Sequence, residues 1–210
     1  MPKDSSKLKL SILILSIPSR LEKYKILQDK LLDQIGDRED VEILCLIDNK
    51  SMHIYEKRNE LLRSARGSHI VWLDDDDDVA DTYIERLTQA IELTPDADVV
   101  SFNQDCYLNG VHARVYCKMG NPHQPVTVIA DGYSTGYADT LRPPYHWCVW
   151  KRTLAQSEEF KSAYHPQTGQ SCEDIDWLTR LYPKVEEEVN LEDFLHIYRW
   201  SSEETESIVK

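Results

Sequence analysis

Glycine-rich phosphate loops are missing from this sequence. Neither Gly-x-Gly-x-x-Gly nor a Walker A pattern occurs in its 210 residues, which removes dinucleotide dehydrogenases and P-loop kinases. There is no Gly-x-Ser-x-Gly elbow, so a Ser-His-Asp hydrolase has no nucleophile to start from. Seven histidines are present, none in His-Glu-x-x-His spacing, and each taken alone reads as structural. The five cysteines, Cys45, Cys106, Cys117, Cys148 and Cys172, are odd in number and form no Cys-x-x-Cys pair, which fits free thiols in a reducing compartment. The longest early apolar run, Leu8 to Ile17, is too short for a bilayer and lacks the cleavage pattern of a signal peptide, so a soluble, cytoplasmic protein is expected. Positive charge is scarce: the net charge of −13 disfavours phosphate-backbone binding over a large surface unless a local basic patch exists. No internal repeat or dividing linker interrupts the chain.

What is present is a globular composition, 41% hydrophobic and 29% charged, and one conspicuous stretch, HIVWLDDDDDVAD from His69 to Asp81. The apolar run Ile70 to Leu73 suits a buried strand and stops at five consecutive aspartates, Asp74 to Asp78. Helical periodicity follows, with Ile84, Leu87 and Ile91 on one side. The acids therefore sit at the carboxyl end of a core strand, where open α/β sheets place their ligands. Two carboxylates about 4 Å apart repel by roughly 4 kcal/mol at an effective dielectric of ~20, a cost that a bound divalent cation offsets. The plainer alternative is a solvated acidic loop or helix start.

The same logic repeats upstream. Leu8 to Ile17 reads as a strand broken by Pro18, and Leu21, Tyr24, Leu27, Leu31 and Ile35 recur at helical spacing before Gly36. Val41 to Ile47 reads as a strand ending at Asp48-Asn49, and Tyr55 to Ala65 as a helix with Arg66-Gly67 as its exit. Strands alternating with helices imply right-handed crossovers and an α/β domain with a mainly parallel central sheet. Ala97 to Phe102 gives a fourth strand, and Cys106 to Lys118 a hairpin around Asn109-Gly110 that forms a small antiparallel extension. Gly120 to His146, rich in Gly, Pro and Tyr, reads as a binding lid. Trp147 to Leu154 is a return strand or helix start, and Cys172 to Tyr182 a helix with Ile175, Leu178 and Leu181 inward.

In an extended segment residues two apart share a side, so an Asp-x-Asp pair can converge on a cation, and five aspartates offer three such frames. Hard oxygens suit Mg²⁺ or Mn²⁺, which take further ligands from substrate phosphates, so a nucleotide diphosphate is the implied ligand. Glu173 and Asp174 open the last helix, where a carboxylate can serve as general base or be simply a good first-turn residue. Arg58 and Asn59 can reach a phosphate or ribose, or lie solvated on an exposed face.

Taken in order, LSIPSR, LIDN, KRNELLRSARGSHIVWLDDDDD and CEDIDWLTRL before YRWSSEETES resemble a small glycosyltransferase of the GT-A fold, similar to family-two enzymes, from Leu8 to about Ser207. The resemblance implies one domain over residues 8–210, with a nucleotide-sugar half (8–100), an acceptor half (101–210) containing the loop 120–146, and a flexible tail at 1–7. It implies Asp74 near the ribose and Asp76 as the more direct ligand of Mn²⁺ or Mg²⁺, with Asp75 beside them and His196 as a further metal candidate. Ser16, Pro18, Arg20 and Asp48 would hold base and ribose, Arg58 would lie near the diphosphate, and Glu173 and Trp147 would join the substrate site. Asp174 would be the catalytic base for an inverting transfer from a nucleotide sugar, a UDP-sugar by preference, to an acceptor hydroxyl. The usual C-terminal histidine position is taken by Tyr198-Arg199-Trp200, with His196 slightly early.

A glycan is the default acceptor. A compact enzyme of this kind also resembles phage-type glycosyltransferases that modify hydroxymethylated bases in DNA, in a bacterium or a virus-infected host cell. That acceptor needs a cationic groove, with Lys57, Arg63, Arg66, Lys151 and Arg152 as candidates. A non-catalytic nucleotide-sugar or cation-binding module is the alternative of another class.

Overall fold

Burial sets the order of the sheet. The computed structural model describes residues 8–124, 128–130, 135–137, 139–166, 169 and 171–201. The expected tail at 1–7, parts of the expected lid (125–127, 131–134 and 138) and residues 202–210 lie outside the described residues. Strand β1 (Leu10–Ser16) is buried along its whole length and runs parallel to β2 (Val41–Ile47) on one side and β3 (His69–Asp74) on the other. A strand with two neighbours and no wet face needs an unbroken Leu and Ile run rather than alternation. Helices α1 (Leu21–Ile35) and α2 (Ile54–Ser64) make the crossovers. Helix α1 ends at Gly36, whose φ of 52° a side chain would resist and whose N–H returns to Leu32 O at 2.9 Å.

The chain continues through β4 (Asp78–Val79), α3 (Tyr83–Leu93), β5 (Val99–Leu108) and β6 (Val111–Cys117). Then come β7 (Val128–Ala130), β8 (Thr135–Tyr137), β9 (Thr140–Arg142), β10 (Val149–Lys151), α4 (Arg152–Ala155), α5 (Glu173–Leu181) and β11 (Glu188–Trp200). The main sheet runs β2-β1-β3-β10-β5-β11-β4, with β6 added to β5 and β9 to β6, while β7 and β8 pair separately. Most paired residues run parallel, and β10 opposes both its neighbours. This is a single α/β domain with a mainly parallel sheet and flanking helices.

The β5–β6 hairpin turns at Asn109 and Gly110, both with positive φ (48° and 80°), as a two-residue hairpin demands. The described part of the expected lid contains three short strands rather than one continuous loop. Two residues expected inward are not: Leu21 is 42% and Ile175 40% exposed. In α5 the buried face is Glu173, Trp177, Leu178 and Leu181, because Trp177 stacks on Phe160 at 4.5 Å and rolls Ile175 outward. Among the described residues no helix is long and apolar enough to cross a membrane.

Gly67 packs β3 against β1 at backbone distance. A Cβ there would meet Ser11 N at 2.6 Å, Leu10 C at 2.8 Å and His69 O at 2.8 Å, none of which can rotate away. Gly67→Ala is therefore expected to lose about 2–3 kcal/mol of stability, read as a lower urea midpoint at unchanged slope. A wild-type midpoint would contradict that packing.

Candidate active site

Parallel β1 and β3 deliver Ser16 and Asp74 to the same edge of the sheet, the carboxyl edge where such folds bind ligands. Pro18 then opens a 3-10 turn, Pro18–Arg20, which brings the Arg20 guanidinium back to the acids. The Asp-x-Asp frame presupposed extended backbone, and the strand ends at Asp74. Beyond it the chain turns: Asp77 N–H donates to Asp74 O (3.1 Å), and Asp77 Oδ2 accepts Asp74 N–H (2.8 Å). A turn brings residues three apart together, so Asp74 and Asp77 line one cleft. Asp75 and Asp76 go elsewhere. Asp75, fully buried, accepts the Ser16 hydroxyl at 2.6 Å and pairs with Arg20 at 2.6 Å, and Asp76 pairs with the same guanidinium. Asp74 therefore shares the cleft with Asp77, while Asp76, its expected partner, is turned towards Arg20.

The cleft measures about 530 Å³. On its floor His196, 1% exposed, lies 2.9 Å from Asp77 Oδ2 through Nε2, outside hydrogen-bond alignment, and 2.8 Å from Gln104 through Nδ1. Trp147 stacks on the imidazole at 4.9 Å and 3°. The His196 side chain is in place because β11 pairs antiparallel with β4, His196 opposite Val79. Burial and the negative charges of Asp77 and Asp76 raise the Asp74 carboxyl above its ordinary value against the opposing pull of Arg58. Burial also pushes Asp75 up to about 6, against its contacts with Ser16 and Arg20.

Arg58 and Asn59 are buried rather than solvated. The Arg58 guanidinium lies over Trp72 (5.0 Å) and Phe160 (5.5 Å), donates to Glu173 Oε1 at 3.0 Å and stands 4.0 Å from Asp74. Asn59 clamps the Phe160 backbone with two hydrogen bonds of 2.9 and 2.8 Å. Glu173 also accepts Ser171 Oγ at 2.6 Å, so it is a buried partner for Arg58. Its neighbour Asp174 turns instead to His146, 3.1 Å away through Nδ1, and accepts the Ile175 N–H at 2.8 Å. Burial alone would raise Asp174, but His146, Arg58 and that N–H outweigh it and hold the carboxyl at about 2.

Asp48 is committed to its own loop: Oδ2 accepts Ser51 N (2.6 Å), Ser51 Oγ (3.0 Å) and Met52 N (3.0 Å), and Oδ1 pairs with buried Lys57. Against the effect of burial, these contacts hold it at about 2. Asp48 and Asp174, ordinarily near 3.8, are both lowered in the folded protein, so the stability each contributes is present above about pH 4 and lost as pH falls towards 2. At about 1.4 kcal/mol per pKa unit each is worth roughly 2 kcal/mol. Urea midpoints should fall steeply between pH 4 and 2, and a flat profile would refute these pairings.

The five candidate cations of a nucleic-acid groove are each engaged. Lys57 pairs with Asp48, Arg63 with Glu60, Arg66 with Glu42 and Lys151 with Asp96, while Arg152 donates to Gly67 O. The residues that sequence reasoning missed are Asp77, Gln104, His123, Arg142, His146 and Tyr198, all lining the cleft. Asp77 stands inside the acidic run, Gln104, Arg142 and Tyr198 are collected by β5, β9 and β11, and His123 and His146, outside the strands, carry no motif.

A sheet with this order and an acidic turn at its carboxyl edge makes a GT-A-like fold. Among the similar structures are several of S. aureus TarS. Its residues 1–349 match with a TM-score of 0.57 at 13% identity over 91% of this chain and 60% of that one. The same protein in complex with UDP matches at 0.59, 13%, 93% and 62%. In complex with UDP-GlcNAc the values are 0.58, 11%, 93% and 59%. This chain spans about three fifths of the length of those structures, and at such identity the likeness is one of fold. No protein-family model matches the chain, and no curated protein matches it by sequence.

Proposed function

We propose that this protein transfers a sugar from a UDP-sugar to an acceptor hydroxyl with inversion, a glycan being the acceptor. One observation carries the reading: the acidic turn at the carboxyl edge of β3 shares a single cleft with His146, the partner of Asp174. A donor diphosphate and an activated hydroxyl need those two chemistries side by side. The UDP and UDP-GlcNAc complexes of the similarly folded TarS support a UDP-sugar as donor.

A divalent cation fits the turn. Burial first, and then the charges of Asp77 and Asp76, raise the Asp74 carboxyl, and the Nε2 of His196 faces Asp77 without a hydrogen bond between them. Among the described residues no three His, Cys, Asp or Glu side chains form a metal-binding group, so phosphate oxygens of the donor would have to complete the sphere of Mg²⁺ or Mn²⁺. Asp74 and Asp77 would hold it from the protein side, with His196, fixed by Gln104, beside Asp77. When bound, the cation supplies charge stabilisation to the departing diphosphate. The engagement of the five candidate cations within the protein supports a glycan over DNA as the acceptor.

The test is calorimetry of UDP with Mn²⁺ alongside UDP release from UDP-N-acetylglucosamine over an oligosaccharide panel. Binding in the parent and its loss in Asp74→Ala are expected; equal affinity in both would refute the cation site.

A further inference from the structure

Asp174 does not meet the cleft alone. His146 is 8% exposed and lines the cleft, and its Nδ1, sealed from solvent, stands 3.1 Å from Asp174 Oδ2 outside hydrogen-bond alignment. The second oxygen of Asp174 is occupied by the Ile175 N–H. A neutral imidazole with its proton on Nδ1, towards the carboxylate, leaves the Nε2 lone pair free on the opposite edge of the ring. An aspartate that accepts from Nδ1 fixes the tautomer and stabilises the imidazolium that forms, without taking the proton itself. The Tyr145 ring, 5.1 Å from the imidazole, packs against it. Among side chains that serve as general bases the imidazole is the most frequent.

We infer, resting on the transferase reading, that His146 is the catalytic base, its Nε2 taking the acceptor proton while Asp174 acts through the ring as a positioning residue. In the step, the acceptor O–H proton passes to Nε2 and the oxygen forms the new bond to the anomeric carbon. The bond from that carbon to the phosphate oxygen breaks, with its electron pair leaving on the diphosphate. The imidazolium, paired with Asp174, returns its proton to solvent. The charged groups around the pair are Glu173 and Asp174 from α5, Asp74 from β3, Arg58 from α2 and Arg142 from β9, with His123 nearby.

The experiment compares His146→Ala and His146→Asn with the parent in UDP release from UDP-N-acetylglucosamine over the oligosaccharide panel, with and without added imidazole. Both variants are expected to lose about 100-fold or more in kcat at unchanged UDP affinity, and added imidazole should restore His146→Ala at least about tenfold. Transfer by His146→Ala near the parental rate, or a loss that imidazole does not repair, overturns the inference and leaves the transferase reading standing. A parent that never transfers removes that reading instead. Independently of turnover, long-range ¹H–¹⁵N spectra should find neutral His146 protonated on Nδ1; protonation on Nε2 overturns the inference whatever the donor.

Discussion

Replacing Asp174 by Asn is expected to slow sugar transfer by about 100- to 10,000-fold. Asn keeps the shape and, through Oδ1, the acceptor for the Ile175 N–H. What changes is the face towards His146: an amide N–H there holds the imidazole in the wrong tautomer, and the charge that stabilises an imidazolium is gone. The acidic turn is untouched, so UDP and Mn²⁺ should bind with parental affinity, and a fall in kcat at constant affinity is the mark of an interaction made in the transition state. Single-turnover UDP release measures the first effect and calorimetry the second. Parental transfer rates would show that the α5 carboxylate has no part in the chemistry.

Arg58→Met carries the largest expected effect on stability. The guanidinium is 4% exposed, lies over Trp72 and Phe160, and neutralises a Glu173 that is itself only 3% exposed. Met fills much of the volume but leaves Glu173 as an uncompensated charge in a poor solvent, which typically costs 3–5 kcal/mol, about 6–20 °C in melting temperature for a chain of this size. The double variant Arg58→Met with Glu173→Gln should recover most of that loss, since both charges are then gone. Calorimetric melting separates the outcomes. A single variant within about 1 kcal/mol of the parent would mean that water reaches Glu173. Lysine is not a substitute here, because it cannot stack on Trp72 as a planar fork does.

The parallel half of the sheet was legible because its signals are local. β2 has the bounds that its apolar run predicts, and Ile84, Leu87 and Ile91 are buried as the period of α3 requires. β10 was ambiguous because three residues carry no periodicity; its antiparallel slot between β3 and β5 is decided by tertiary pairing. The polar inner face of α2 misled for a related reason. Lys57, Arg58 and Asn59 look solvated in isolation and are buried because Asp48, Glu173 and the Phe160 backbone, distant in sequence, are there to receive them. At the site, the position of the acidic run was readable and its internal geometry was not. Spacing of two assumes extended chain, and the hydrogen bonds between Asp74 and Asp77 replace it with a turn. His146 carries no motif at all, since its partner lies on α5.

The antiparallel register of β11 on β4 sets when the site can exist. Ala80 donates to Leu195 O, and His196 stands opposite Val79, so the acidic turn is latched by one of the last described strands. During vectorial synthesis the aspartates leave the ribosome more than a hundred residues before that latch. A nascent chain therefore carries Asp77 without its histidine until β11 has emerged, and competence for the donor should arise abruptly at that point rather than grow with length.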